Sequence, residues 1–286
     1  METKRKRKRI DSLEKHVKRF RNRFGELDKH IEALNNLVGM HSVKKAILGQ
    51  LKYLLCAESA EGHFLNTCIC GPPGSGKTTL AKTLFELWTS LRLFENAKFT
   101  VLSRADLVAP YLGQTASRAK RALMKHKGSV IFIDEFYSLV NSDTDAYGIE
   151  ALTVLNSFMS ENVDTVIIVA GYQKEVDKIF EMQPGLHRRF AWRFKIEPYS
   201  GVELFAIFKS QLKEHGWTVD PQAIELFKTK KFKYGGGDTL NIALKAKIKY
   251  STRNWLTGGN KRLLYSDVER AINSHIVEEE VPVMYM

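Results

Sequence analysis

The sequence predicts an α/β chain: a five-stranded parallel sheet flanked by helices, followed by a small all-helical subdomain. Three observations predict it. Between residues 31 and 200, apolar runs of strand length alternate with segments of helical periodicity. The centres of those runs are nearly continuous in apolar residues, the pattern of strands covered on both faces. After "EPYS" (197–200) the strand-like runs stop, and helix-start signals follow one another.

The chain begins on a basic tail. "KRKRKR" (4–9) is a block of like charges that repels itself. Residues 1–30 carry twelve Lys/Arg against five Asp/Glu, so most of the net charge of +12 sits there. Asp11 with Glu14 forms a capping-box pattern, and Leu13, Val17, Phe20 and Phe24 recur at helical spacing. Residues 1–30 are therefore read as a tail and amphipathic helix. The tail (4–23) suits nucleic-acid binding or nuclear import, against the plain alternative of a solvated charge run.

Residues 31–199 hold the expected strands: "NTCIC" (66–70), "KFTVLS" (98–103), "SVIFID" (129–134), "TVIIVAG" (165–171) and "AWRFKI" (191–196). Residues 200–286 form the helical part. Ser200 with Glu203 opens one helix and Gly216 closes it; Asp220-Pro221 starts a second, and Ser266 with Glu269 the last. The hinge falls near Pro198–Gly201.

"GPPGSGKTT" (71–79) lies between an expected strand and an expected helix and satisfies G-x-x-x-x-G-K-[ST]. Its glycines let the backbone turn so that N–H groups face phosphate oxygens, and the helix beginning near Lys77 adds its positive end. Gly71, Pro72, Pro73, Gly74, Ser75, Gly76, Lys77, Thr78 and Thr79 are the expected ATP-binding segment. Lys77 is placed to reach the β- and γ-phosphates, and Thr78 to offer a hydroxyl to Mg²⁺. Fifty-seven residues after Lys77, "VIFIDEF" delivers two carboxylates at a strand's C-terminal end, where open α/β sheets bind ligands. Asp134 fits the Mg²⁺ shell; Glu135 fits the residue that polarises an attacking water. ATP and Mg²⁺ are the expected ligands, and hydrolysis the expected reaction.

These motifs, their spacing and the helical C-terminal part resemble the AAA+ ATPases, over roughly residues 31–275. Within that family the best resemblance is to the group containing the rubisco activase CbbX and sporulation protein K, carried also by "LVGMHSVKKAI" (37–47), "DAYGIEAL" (145–152) and "VAGYQKEVDKIF" (169–180). "LHRRFAWRF" and "GGGDTLN" resemble related ATPases of large DNA viruses.

The resemblance implies a Mg²⁺-dependent ATP hydrolase that assembles into a ring, a hexamer by family pattern, and remodels a protein client through a central pore. It places the adenine near Val38 and Gly39. It makes Arg189 of "QPGLHRRF" the finger that reaches a neighbour's nucleotide, with Arg188 as helper; Arg193, inside a strand, is structural. Tyr111, Leu112 and Gly113 match the family's pore loop.

Two departures stand out. Tyr172 or Gln173 occupies the end of the fourth strand, where the family commonly has Asn. Asp238 occupies the place of the lid arginine, where its charge would repel triphosphate, so it is expected to cap its own helix. Lys245, seven residues on, is a poor substitute.

Cys68 and Cys70 lie two apart on a strand, facing one side, and with Cys56 they form no disulfide framework. No apolar run approaches the ~20 residues that span a bilayer, and the basic N-terminus has no apolar core of a secretory signal. The expectation is a cytoplasmic or nuclear protein with no membrane partner. Two other functions stay open: an ATP-driven motor or loader on DNA, suggested by the tail and a pI of 9.5, and a nucleotide-gated scaffold that turns over slowly.

Overall fold

The structure, a computed structural model, describes residues 26–56, 65–94, 98–111, 113–254 and 260–280. The basic block and the expected helix from Asp11 lie outside these residues. The described residues form two compact units. The first takes those up to Leu37, His41–Cys70 and Lys77–Lys195; the second takes Val38–Met40, Gly71–Gly76 and those from Ile196 onward.

In the first unit, helix α1 covers 26–36 and α2 His41–Cys56. The sheet then alternates with helices: β1 (Thr67–Cys70), α3 (Lys77–Ser90), β2 (Phe99–Leu102), α4 (Arg104–Leu107), α5 (Thr115–Met124), β3 (Val130–Ile133), α6 (Ala146–Glu161), β4 (Val166–Gly171), α7 (Gln173–Met182), α8 (Pro184–Arg189) and β5 (Trp192–Lys195). All five strands are parallel in the order β2-β3-β4-β1-β5. Each expected strand is present, trimmed by a residue or two.

Position in the sheet decides how well an apolar run is covered. Every residue of β1, β3 and β4 is buried, as expected of strands with neighbours on both sides and helices on both faces. The edge strands are covered only in part: Val101 of β2 is exposed, and β5 alternates with Phe194 inward. Cys68 and Cys70 are free and buried, with sulfurs 3.6 Å apart.

The second unit has its own core, built from Phe205, Phe208, Phe227, Ile242, Val268 and neighbours. Helix α9 (Gly201–Lys213) opens on the expected capping box, in which Ser200 N–H donates to Glu203 at 2.7 Å. Gly216, at φ +72°, follows its end. The second expected start, Asp220-Pro221, opens a single 3₁₀ turn that runs into α10 (Ile224–Thr229).

Two corrections follow. The unit is helical but not wholly so, because Thr218–Val219 (β6) and Arg262–Leu263 (β7) make a two-residue parallel ladder. The last helix, α12 (Tyr265–Glu280), is capped by Asp267, which accepts from Leu264 N–H at 2.9 Å, and not by the Ser266–Glu269 pair. Asp267 also pairs with Arg253 of α11 (Gly236–Asn254) at 2.8 Å, which fixes it at that place.

Candidate active site

Between β1 and α3 the chain makes the glycine-rich loop. Gly74 and Gly76 lie at φ +64° and +84°, a region that side chains with a Cβ avoid. The loop is held by its own unit: Tyr199 donates its hydroxyl to the Ser75 carbonyl at 2.7 Å, and Gly236 N–H donates to the Gly74 carbonyl at 3.0 Å. Burial, with the charge of Glu203, pushes the Tyr199 phenol up to about 12, so it stays a neutral donor. Gly39, at φ +67°, belongs to the same cluster, since a Cβ there would lie 2.7 Å from Glu203 and 3.2 Å from Tyr199. Val38 beside it is half-buried. Pro72 and Pro73 are half-buried too, and Ser75 is buried with a hydroxyl that no described residue satisfies.

Past the loop, α3 presents its N-terminus with no acidic residue in the first turn. Lys77 is half-buried, and desolvation holds its ammonium below the ordinary lysine value despite Asp134, Cys70 and Glu135 nearby. Thr78 donates its hydroxyl to Asp134 Oδ2 at 2.8 Å, so the structure brings those two together at the end of β3. Thr79 is exposed.

Asp134 Oδ1 accepts from the Glu135 N–H at 3.0 Å, and Glu135 itself takes the left-handed conformation, φ +48°. That reversal sends the Glu135 side chain to solvent while Asp134 stays half-buried. Among the described residues no three His, Cys, Asp or Glu side chains gather as a metal cage. One carboxylate and one hydroxyl fit Mg²⁺, which keeps waters and phosphate oxygens in most of its shell. The unsatisfied Ser75 hydroxyl and the inward-turned loop fit a polar, anionic ligand.

At the end of β4, Tyr172 and Gln173 separate. The Lys77 ammonium lies 5.1 Å from the centroid of the Tyr172 ring, whereas the Gln173 amide turns to the Asp177 carboxylate at 2.9 Å. Sequence reasoning missed Tyr137, whose ring stacks on Tyr172 with centroids 5.3 Å apart and planes 20° apart. The only signal was an aromatic two residues past Glu135.

The arginines stand elsewhere in the first unit. Arg189, the last residue of α8, donates to the Ser160 hydroxyl at 3.0 Å and to the Gly185 carbonyl at 2.9 Å. Arg188 is exposed, and both line an open depression of about 490 Å³ with Val163 and Ala191. Arg193 binds His187 and lies 5.1 Å from the Phe180 ring centroid, packed within its own unit.

Tyr111 is 69% exposed, and nothing lies within 4 Å of a Cβ added to Gly113, at φ +74°. Leu112 lies outside the described residues. The base of that loop is fastened where Ala109 N–H donates to the buried Thr115 hydroxyl at 3.2 Å.

In the second unit Asp238 is buried in the first turn of α11, reaching back to accept from Tyr234 N–H at 2.6 Å. It serves the helix start as expected, but from inside the helix and with a partner that sequence reasoning missed. That partner is His275, 3.1 Å away on α12.

The model of the ATPase family associated with various cellular activities (AAA) matches residues 67–198. A putative cfxQ-like protein of Acanthamoeba polyphaga mimivirus is 32% identical over 246 residues, covering 82% of this chain; the chain spans 61% of that protein's length. The chloroplastic ribulose bisphosphate carboxylase/oxygenase activase of Cyanidioschyzon merolae is 30% identical over 241 residues, covering 79% of this chain and 82% of its own. Among solved structures, a mutant of Thermotoga maritima RuvB shares the fold with a TM-score of 0.62 at 18% identity, over 84% of this chain and 72% of that one.

Proposed function

The chain belongs to the AAA family of ATPases, among its cfxQ-like members, and from that premise we propose a Mg²⁺-ATP hydrolase whose sites are completed by a neighbouring copy in a ring. The observation that carries the reading is the 2.8 Å bond between Thr78 and Asp134, beside Lys77 and Glu135.

In this reading the backbone N–H groups of Gly71–Gly76 and the start of α3 hold the phosphates, with Val38 and Gly39 near the base. The desolvated Lys77 ammonium gives its charge to the β- and γ-phosphates, where low local dielectric makes it count for more than in water. Thr78 and Asp134 hold Mg²⁺. When bound, the metal neutralises charge on the phosphate oxygens. Glu135 accepts a hydrogen bond from the attacking water and orients it. Tyr172, and not Gln173, faces the lysine side of this arrangement.

Arg189, with Arg188 beside it, completes the site of the next copy, because a loose phosphoryl transition state spreads charge that a planar guanidinium stabilises. Residues 31–199 act as the nucleotide-binding subdomain and 200–286 as the lid. Six copies would place Tyr111, Leu112 and Gly113 around a channel that grips a polypeptide client. A relative named as an activase of another protein favours a protein client; the basic tail leaves nucleic acid as a further partner. A slowly hydrolysing, nucleotide-gated scaffold is the second reading, favoured by the burial of Asp238 where the family places an arginine.

Complementation tests shared sites. Arg189→Ala and Glu135→Gln proteins, each inactive alone, are expected to recover turnover when mixed, since some interfaces then hold an intact pair. Absence of recovery under conditions where both assemble would remove the shared-site reading.

A further inference from the structure

The end of β4 carries aromatic rings that no motif required. Phe136 is fully buried, with its ring among those of Phe180 and Phe190 at centroid distances of 6.2 and 6.3 Å. Glu135 before it takes the left-handed conformation, and a short 3₁₀ turn (Phe136–Leu139) brings Tyr137 to the end of β4. Gly171 makes room there, since a Cβ at that position would lie 3.1 Å from the Tyr137 ring and 2.7 Å from Val176.

The half-buried Tyr137 ring stacks on Tyr172, with centroids 5.3 Å apart and planes 20° apart. Tyr172 is in turn met by the Lys77 ammonium, 5.1 Å from its ring centroid. That distance lies within the ~6 Å over which a ring face attracts a cation. Lys77 is itself half-buried, and the attraction grows as the cation loses water.

Two carboxylates act on the same ammonium, Asp134 and Glu135. Drawn fully to either, Lys77 would neutralise a group that the metal or the attacking water uses. A ring face attracts the cation without neutralising a carboxylate, and an ammonium with three N–H donors can rest on it and still point donors at oxygens.

We propose that Tyr172 is a positioning residue for Lys77: its ring face, backed by Tyr137, keeps the ammonium at the phosphate loop and stays in contact with it when phosphates bind. This gives the aromatic at the end of β4 a role toward the lysine, distinct from orienting water. The inference rests on Lys77 being the group that meets the phosphates.

Fluorination tests it. Tyr172→Phe is made in the full-length protein, and then the same position is filled with phenylalanine bearing one, two and three ring fluorines. Fluorine keeps the ring's shape nearly constant and weakens its negative face stepwise, so a purely structural ring would not respond. The expected result is an ATP Kd that rises with each fluorine, by about fivefold across the series. A flat series overturns the proposal. A Kd that falls with fluorination overturns it as well, because the ring would then be competing with the phosphates for the ammonium.

Lys77→Met is assayed alongside. Native ATP affinity in Lys77→Met overturns the reading of Lys77 itself; affinity lost there with a flat fluorine series overturns this proposal alone. If the fluorinated proteins fail to fold, Tyr172→Trp and Tyr172→Leu replace them, since indole offers the strongest face and leucine offers none. Tyr172→Trp is then expected to bind ATP about tenfold tighter than Tyr172→Leu, and equal affinities overturn the proposal.

Discussion

Asp238 and His275 form a buried pair, 3.1 Å apart, that joins the first turn of α11 to the middle of α12. The other oxygen of Asp238 accepts from Tyr234 N–H, and Gly236 of the same turn donates to the Gly74 carbonyl of the phosphate loop. The start of α11 therefore meets the glycine-rich loop through backbone groups, with the Asp238 carboxylate turned inward.

Asp238→Ala removes a buried carboxylate that accepts from Tyr234 N–H and pairs with His275, so it is expected to destabilise the protein by about 3 kcal/mol. Restoring the family residue with Asp238→Arg is expected to destabilise at least as much and not to speed hydrolysis, because the position opens on the lid core. Thermal unfolding with a parallel phosphate-release assay reads both; an Asp238→Arg protein of native stability and faster turnover would contradict this placement.

Gly74→Ala should abolish nucleotide binding. Its backbone is left-handed, and the added Cβ would lie 1.9 Å from the Tyr234 carbonyl oxygen, so either the loop or the glycine turn at 235–237 must move. Binding of a fluorescent ATP analogue checks this; native affinity would show that the two segments can part at little cost.

Lys77 gives a pH signature. Its folded value lies below the ordinary lysine value, so between the two the unfolded chain holds more protons than the folded one. Stability therefore rises with pH across that window, as the cost of a buried charge is relieved. In the proposed site ATP takes the charged ammonium, so affinity is expected to move the other way and fall as pH climbs into the same range. Calorimetry in buffers of different ionisation enthalpy should show proton uptake on ATP binding there, and Lys77→Arg should lose that uptake.

Tyr111→Ala is expected to leave ATP hydrolysis within about twofold of the parent, since an exposed side chain far from structural constraints rarely costs more than ~0.5 kcal/mol. Client remodelling should be lost. Joint loss of both activities would tie Tyr111 to the fold and not to a channel.

The strands were legible because a run such as "SVIFID" has no other way to be buried, and the loop was legible because its glycines and lysine act through sequence-local geometry. Tyr137 was not, because its place depends on a reversed backbone at Glu135 and a missing side chain at Gly171, 34 residues further on. His275 lies 37 residues from Asp238, a separation no helical period reports. The β6–β7 ladder is two residues deep, too short for any alternation to show. Asp267 displaced the expected cap of the last helix because Arg253, fourteen positions upstream, binds it in the folded unit.

Arg189 enters any assembly already immobilised. Its guanidinium is tethered to Ser160 and Gly185 within its own chain, so its rotational freedom is surrendered when the chain folds. A copy docking on this face is spared the ordering of that side chain, about 0.5–1.5 kcal/mol in a typical interface. The corresponding ordering cost falls on folding, so loss of the Ser160 hydroxyl should weaken association by leaving that guanidinium to be ordered at docking.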